Sequence, residues 1–257
     1  MRQIIILLFI LSSLVTTSLM SQNNSGEIVY LDKVNLHKNL PPEREALKDR
    51  IPEFRETDKV LYFNGTEALY MTKPKDKTEK VEQQEFRGEG RRGRRVGRFG
   101  LDENSQYYTN ITGVTSVDSR NFFGKDFLIE GSRKALKWKI TGEQKQVGSY
   151  LCQKATFQDS TNNIVAWFTP MIPVPSGPDN YFGLPGMILH LDFDSGLRQI
   201  TAMEITLKEL DDSVIEKPTK GKKVSLEEFD KIRTEKRKER EEEFGSRRVR
   251  GFPRGGL

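Results

Sequence analysis

Apolar residues recur at every second position through most of this chain, in short runs separated by Gly, Asn, Asp and Pro. Successive side chains of a strand point to opposite faces, so this period of two calls for strands with one buried face and excludes a helix-rich fold. In GEIVYLDKVNL, residues Ile28, Tyr30, Val34 and Leu36 share one face, interrupted by Asp32. VLYFNGTEALYM reads as two strands joined at Asn64-Gly65, a pair that tolerates the positive φ of a tight hairpin. From Tyr107 the pattern repeats in YYTNIT, KDFLIEG, KALKWKIT, VGSYLCQKATFQ, NIVAWFT, GMILHLDF and RQITAMEITLKEL, each bounded by turn-forming residues. The expected fold is mainly β: a large, curved, mostly antiparallel sheet, built as a meander with strands adjacent in sequence. After the first strand, PPEREALKDRI opens on Pro41-Pro42 and sets Ala46, Leu47 and Ile51 on one stripe, which predicts a short helix.

The N-terminus imposes a different constraint. Arg2 is followed by an apolar run from Ile4 to Val15 and then by small and hydroxylated residues, the layout of a secretory signal peptide over residues 1–21 with cleavage near Ser21/Gln22. That run is well short of the ~20 residues a membrane-spanning helix needs, so the expected protein is exported, not membrane-spanning, and resides in a periplasm or at a cell surface. No cysteine stands near the cleavage point, so attachment of lipid to a new N-terminal cysteine is not expected. The single cysteine, Cys152, leaves no internal disulfide, and an ordinary core must supply the stability.

Lys and Arg exceed Asp and Glu by 5, and the excess is concentrated in two segments. The first, residues 73–100, holds Arg91, Arg92, Arg94 and Arg95, has few apolar residues, and reads as a mobile insertion in a β-rich domain spanning 22–215. The second closes a segment spanning 216–257. There Ser225 and Glu228 form a capping box, a polar helix extends to Phe244, and a basic tail with Arg247 and Arg248 is expected to be disordered. Such arginines suit phosphates. Export argues against nucleic acid and points instead to an outer-membrane protein, lipid or lipopolysaccharide, with an inert solvated tail as the plainer reading.

In YFGLPGMILHLD, proline fixes the backbone of Pro185 and Gly186 supplies a positive φ, so Leu184-Pro185-Gly186-Met187 predicts a type II turn feeding a strand. On that strand Met187, Leu189, Leu191 and Phe193 are expected to face the core, with Ile188, His190, Asp192 and Asp194 on the mostly wet side. The preceding PMIPVPSGPDN carries Pro170, Pro173, Pro175 and Pro178, a stiff loop that either crosses the end of the sheet, the favoured reading, or holds a ligand at its rim. Trp167, Pro173, Pro178, Tyr181, Phe182, His190 and Asp192 are the candidate rim residues, and Gly183, Leu184, Pro185 and Gly186 the turn. No catalytic residue is assigned. Cys152 reads as a buried structural thiol, His190 with Asp192 and Asp194 reads as a polar strand face before it reads as a metal site, and no phosphate loop, dinucleotide fingerprint or Cys/His cluster is present. Neither a cofactor nor a metal is expected.

Five blocks in order carry a family resemblance: Trp138-Lys139-Ile140-Thr141; Gly148 through Ala155; Ala166-Trp167-Phe168-Thr169; Ile172-Pro173 with Gly177-Pro178; and Phe182 through Leu189. They resemble the GLPGLI family of exported Bacteroidetes proteins, over roughly residues 26 to 210, with Met187 where that family usually has leucine. The resemblance implies an exported β-rich protein of unknown biochemical role. The strand order also resembles the curved half-barrel of lipoprotein carriers. The function expected is therefore that of a non-enzymatic binding or accessory protein of the bacterial envelope, taking an apolar or lipid-like ligand or an outer-membrane partner. The alternative is an envelope hydrolase using the proline-rich loop with His190 and Asp192.

Overall fold

The computed structural model describes residues 24–38, 40–74, 105–133, 136–158 and 163–249. The N-terminal apolar run and Arg91, Arg92, Arg94 and Arg95 lie outside these residues. Twelve strands form one sheet in the order β12-β6-β5-β4-β3-β2-β1-β11-β10-β9-β8-β7. Strands β1 (Gly26–Asn35), β2 (Phe54–Phe63), β3 (Glu67–Thr72), β4 (Gln106–Asn110), β5 (Thr115–Phe122) and β6 (Lys125–Ser132) make one antiparallel meander. A second contains β7 (Lys139–Val147), β8 (Tyr150–Gln158), β9 (Asn163–Thr169), β10 (Met187–Phe193) and β11 (Arg198–Leu207). The two halves join where β11 returns to pair antiparallel with β1, and the short β12 (Lys222–Val224) adds in parallel beside β6. The fold is thus mainly β, a large curved open antiparallel sheet, as the alternation requires.

Two strands depart from the sequence expectation. β5 was not anticipated, because its core-facing positions include Asp118 and Arg120 in place of an apolar row. β7 starts at Lys139 and continues to Val147, beyond the KALKWKIT run, with most of its residues exposed at the sheet edge. The PPEREALKDRI stripe forms a 3-10 helix over Pro42–Arg50, with Pro42 in its first turn.

Both sheet faces are covered. On one, Ile28, Tyr30, Leu61, Phe63, Tyr70, Ala155, Ile164, Ala166, Phe168 and Leu191 pack beneath Ile172, Val174 and Leu184 of the loop between β9 and β10. On the other, Leu69, Tyr108, Val117 and Leu128 pack under Ile215. Helix α1 (Leu226–Val249) lays Phe229 against Phe122 and Phe127. Its start is the capping box: Glu228 N–H donates to Ser225 Oγ (3.1 Å) while Ser225 N–H donates to Glu228 Oε2 (2.9 Å). The helical backbone continues past Phe244 and carries Arg247 and Arg248 in its last turn.

Local geometry corrects two turn readings. The Asn64-Gly65 hairpin exists, but neither residue has positive φ. The Asn64 side chain holds the turn by accepting from Thr66 N–H (2.9 Å) and Glu67 N–H (2.7 Å). At Leu184–Met187 the bond runs from Gly186 N–H to Leu184 O (2.8 Å), a three-residue turn centred on Pro185, while Met187 N–H returns to Ile172 O (3.0 Å). Ile188 is also fully buried, because a bulge between Ile188 and His190 turns it towards the loop.

Glycine is required at 186 twice over. Its φ is +148°, and a Cβ there would lie 2.2 Å from Thr169 O and 2.7 Å from Thr169 C, both backbone atoms. Gly186→Ala is expected to destabilise the fold by about 3 kcal/mol or more through strain and overlap. Gly124→Ala, with φ +75° but open space around it, should cost about 1–2 kcal/mol. Chemical denaturation of the two variants measures the contrast, and equal losses would remove the overlap argument.

Candidate functional site

Three arginines and three aspartates gather between the sheet face and the β9–β10 loop that covers it. Arg198 opens β11 beside Val34 of β1, and its guanidinium donates from Nε and Nη2 to both carboxylate oxygens of Asp32 (2.9 and 2.7 Å). Its Nη1 donates to Asp179 Oδ2 (2.7 Å), tying the loop to the sheet. Burial alone would lower the Arg198 pKa, but Asp179 and Asp32 outweigh it and hold it well above the ordinary value. Asp179 takes φ +52°, a left-handed geometry that Asp tolerates better than most residues.

Next in the loop, Asn180 donates from Nδ2 to Asp118 Oδ2 (2.7 Å) on β5, and the same oxygen accepts from Arg120 Nη2 (2.9 Å). Asp118 is 3% exposed, and burial raises its pKa despite Arg120 and Asn180. The Arg120 guanidinium lies 5.2 Å from the Tyr107 ring and 5.5 Å from the Phe229 ring. Arg133, just past β6, sits 3.7 Å over the Phe182 ring, and burial lowers its pKa to about 10. Tyr30, Tyr70 and Tyr107 form a row with centroids 6.0 and 6.2 Å apart, and Tyr30 donates its buried hydroxyl to Ile188 O (2.7 Å) at the loop base.

Between the loop tip and β4–β5 lies a cavity of about 300 Å3, lined by Tyr107, Arg120, Leu136, Asp179, Asn180 and Tyr181. Among the buried polar atoms without a hydrogen-bond partner, Asn180 Oδ1 and Arg120 Nε belong to lining residues, while Asp118 Oδ1, Tyr70 Oη, and Nε and Nη2 of Arg133 belong to residues that do not line it. This arrangement offers donors, acceptors and aromatic faces. Its acids are held in arginine pairs, Asp179 with Arg198 and the neighbouring Asp118 with Arg120.

The structure divides the expected rim residues between the two faces. Pro173, Pro178, Tyr181 and Phe182 belong to the loop. Tyr181 walls the cavity and its ring lies 5.3 Å from that of Phe193, while Phe182 O accepts from Trp138 Nε1 (2.9 Å). Gly183 has φ +91°, and Leu184 and Pro185 lead into the turn at Gly186. Trp167 and His190 are paired in register on the opposite face, where the Lys145 and Lys154 ammoniums lie 4.5 and 6.0 Å from the Trp167 ring. His190 Nδ1 is 2.8 Å from Thr201 Oγ1; Asp192 accepts from Gly196 N–H (2.6 Å) and Gln199 Nε2 (3.0 Å), and Asp194 from Asn163 N–H (3.0 Å). These two acids brace the strand ends. Cys152 is buried, and burial raises its thiol pKa to about 11.

Sequence reading had no place for Asp118, Arg120, Arg133, Asp179, Asn180 or Arg198. One signal was available: Asp32 interrupts the core face of the first strand, and a carboxylate there demands a buried partner.

Fold and cavity together define a mainly β protein on one twelve-stranded sheet, with a polar cavity under a cross-sheet loop. A family model described as "Protein of unknown function (Porph_ging)" matches residues 157–190, a Bacteroidetes-linked domain whose matched stretch takes in β9, the loop and the start of β10. Nothing among curated proteins matches. Among solved structures the chain is similar to PNGF-II in a C2 crystal form, at 14% identity and TM-score 0.52, covering 81% of this chain and 32% of that one. The P21 form gives 13% identity, TM-score 0.52, and 81% and 33% coverage. The chain thus spans about a third of PNGF-II, and the likeness is one of fold. Among the described residues no helix is long and apolar enough to cross a membrane.

Two outcomes follow from these contacts. Arg198→Met leaves Asp32 and Asp179 buried without their cation and should cost about 3–5 kcal/mol by equilibrium unfolding; a loss below about 1 kcal/mol would mark the clamp as dispensable. Burial chiefly, and Lys145 secondarily, lower His190 from 6.5 to about 4, with Asp192 opposing. The folded state therefore favours neutral imidazole: its contribution is present above pH 6.5 and lost as pH falls towards about 4. Melting curves of His190→Gln should lack that part of the acid sensitivity.

Proposed function

We propose that this chain is an exported, non-enzymatic binding or accessory protein of a bacterial envelope. The cavity under the loop tip carries the reading, because about 300 Å3 of space is lined there by both polar groups, Arg120, Asp179 and Asn180, and aromatic rings, Tyr107 and Tyr181. Export rests on the Arg2 and Ile4–Val15 pattern and implies a periplasmic or cell-surface protein. The GLPGLI resemblance supports the same setting, and its name motif falls within the stretch matched by the Porph_ging model.

Beside the apolar or lipid-like ligand expected from the sequence, the lining of this cavity favours a polar one. Ile172, Val174 and Leu184 of the loop fill the apolar sheet face that an acyl chain would need, and the cavity that remains is lined by Arg120, Asp179 and Asn180 as well as rings. An outer-membrane protein or lipopolysaccharide remains the macromolecular partner to seek, through exposed strand edges or the basic segments. Hydrolysis through His190 and Asp192 gains no support, since both are bonded within the β10–β11 hairpin on the face away from the loop.

Affinity purification of the tagged protein from envelope extracts, with proteins and small molecules both identified, tests the reading. A protein beginning near Gln22 that carries a polar ligand or an envelope partner is expected. Recovery from the cytoplasm with its first residues intact, or turnover of an ester, peptide or glycoside substrate lost in His190→Ala, would overturn it.

A further inference from the structure

At the β5–β6 hairpin an aromatic residue stands where the backbone disfavours one. The two-residue turn Phe123-Gly124 joins Phe122 to Lys125 with φ of +52° and +75°. This is the left-handed pair of a type I′ turn, which Asn-Gly fills without strain and a bulky side chain does not. Phe123 is nevertheless 49% exposed, its ring edge-on to Phe122 at 4.6 Å. Phe122 is buried and already meets Phe229 of α1 (6.0 Å). Strain held at a solvent-facing ring points to a use for that ring outside the fold. The same end of the sheet collects lysines. Lys125 follows the turn, and the approach to β12 runs Lys217-Pro218-Thr219-Lys220-Gly221-Lys222-Lys223 without an acid. Gly221 lies so close to β6 that a Cβ there would be 3.0 Å from backbone atoms of Asp126 and Phe127, and Lys222 stands opposite Phe127 at the sheet edge. All five lysines are exposed. Lys223 pairs with Glu130 (3.1 Å), whereas Lys125, Lys217, Lys220 and Lys222 make no ion pair among the described residues. The nearby Asp126 accepts from Asn121 Nδ2 (2.6 Å).

We infer that this end of the sheet docks on an anionic lipid surface, with the Phe123 ring entering the headgroup region and Lys125, Lys220 and Lys222 meeting the phosphates. Open space surrounds the turn, since a Cβ at Gly124 would meet nothing within 4 Å. The ring therefore stands on a projecting tip and not in a groove that a peptide could fill. A ring beside uncompensated ammonium groups supplies both things an interfacial anchor needs, apolar area to bury and cations to meet lipid charge. This surface uses none of the cavity residues, and the inference goes beyond the cavity reading.

Co-sedimentation of the tagged protein, as isolated from its own cells, with vesicles of phosphatidylglycerol and phosphatidylcholine, or of phosphatidylcholine alone, tests this. Binding to the anionic vesicles alone, weakening as salt rises, is expected. The double change Lys220→Gln, Lys222→Gln should weaken it roughly 20-fold, at about fivefold per lysine. The matched change at exposed Lys137 and Lys139, beside the opposite sheet edge at β7, should cost less than about twofold. Phe123→Asn, which suits the turn better, should weaken vesicle binding about fivefold or more with a melting temperature unchanged or raised. No binding to anionic vesicles, equal losses from the two lysine pairs, or undiminished binding by Phe123→Asn overturns the inference. So does capture of an envelope protein that Phe123→Asn abolishes while vesicles go unbound, which would make the partner a protein. An empty cavity leaves this inference standing, and absence of vesicle binding leaves the cavity reading standing.

Discussion

The bidentate Asp32–Arg198 pair, extended to Asp179, is the interaction on which the rest of the architecture depends. Asp32 and Arg198 sit where the two meanders meet, on β1 and β11, and Asp179 belongs to the loop that covers the face. One guanidinium therefore fixes the seam between the halves of the sheet and the position of the loop tip above it. Neutralising two carboxylates with one cation leaves a negative excess there. Arg120 and Asp118 balance each other beside it, and Arg133 is held against the Phe182 ring of the loop, 3.7 Å from its centroid. The cavity is thus polarised by groups whose main work is structural.

Burial decides what that polarity is for. The loop's apolar residues, Ile172, Val174 and Leu184, settle onto the strands of the second meander and β1, while its tip, Asp179 to Tyr181, hangs over β4 and β5, where the core row gives way to Tyr107, Asp118 and Arg120. Helix α1 covers the neighbouring β5–β6 region through Phe229. The cavity lies between two covers, where neither supplies enough apolar surface to seal the sheet. Polar side chains facing such a gap hold water or ligand at modest cost, whereas an apolar gap of the same size would weaken the fold.

How much was legible follows from the same distribution. Strands with one apolar row, β1, β9 and β10 among them, announced themselves through the period of two, and so did the meander. The capping box at Ser225 and Glu228 was readable because its chemistry is local. β5 was not, since Asp118 and Arg120 stand where a pattern search wants Val or Ile. The strand missed is the one that carries the site, and both misses have one cause: the stabilising partner of each charge lies far away in sequence, Asp118 with Asn180 and Asp32 with Arg198. Trp167 and His190 were misgrouped with Tyr181 for a related reason, because the sequence does not say which sheet face a loop will cross.

The Leu184–Gly186 turn acts on the cavity without touching it. Gly186 presses against the backbone of Thr169 and Pro170, so the loop leaves and rejoins the sheet at nearly one place. Met187 N–H to Ile172 O and Ile188 N–H to Ser176 O then stitch its two arms together. A loop pinched at its base by backbone contacts has little freedom at its tip, and the prolines at 170, 173, 175 and 178 remove more. Pre-organisation of this kind lets Asp179 adopt a left-handed backbone and still meet Arg198, and it holds Asn180 at the cavity wall with its Nδ2 donating to Asp118. The Leu184–Gly186 turn thus fixes the base of the loop whose tip walls the cavity.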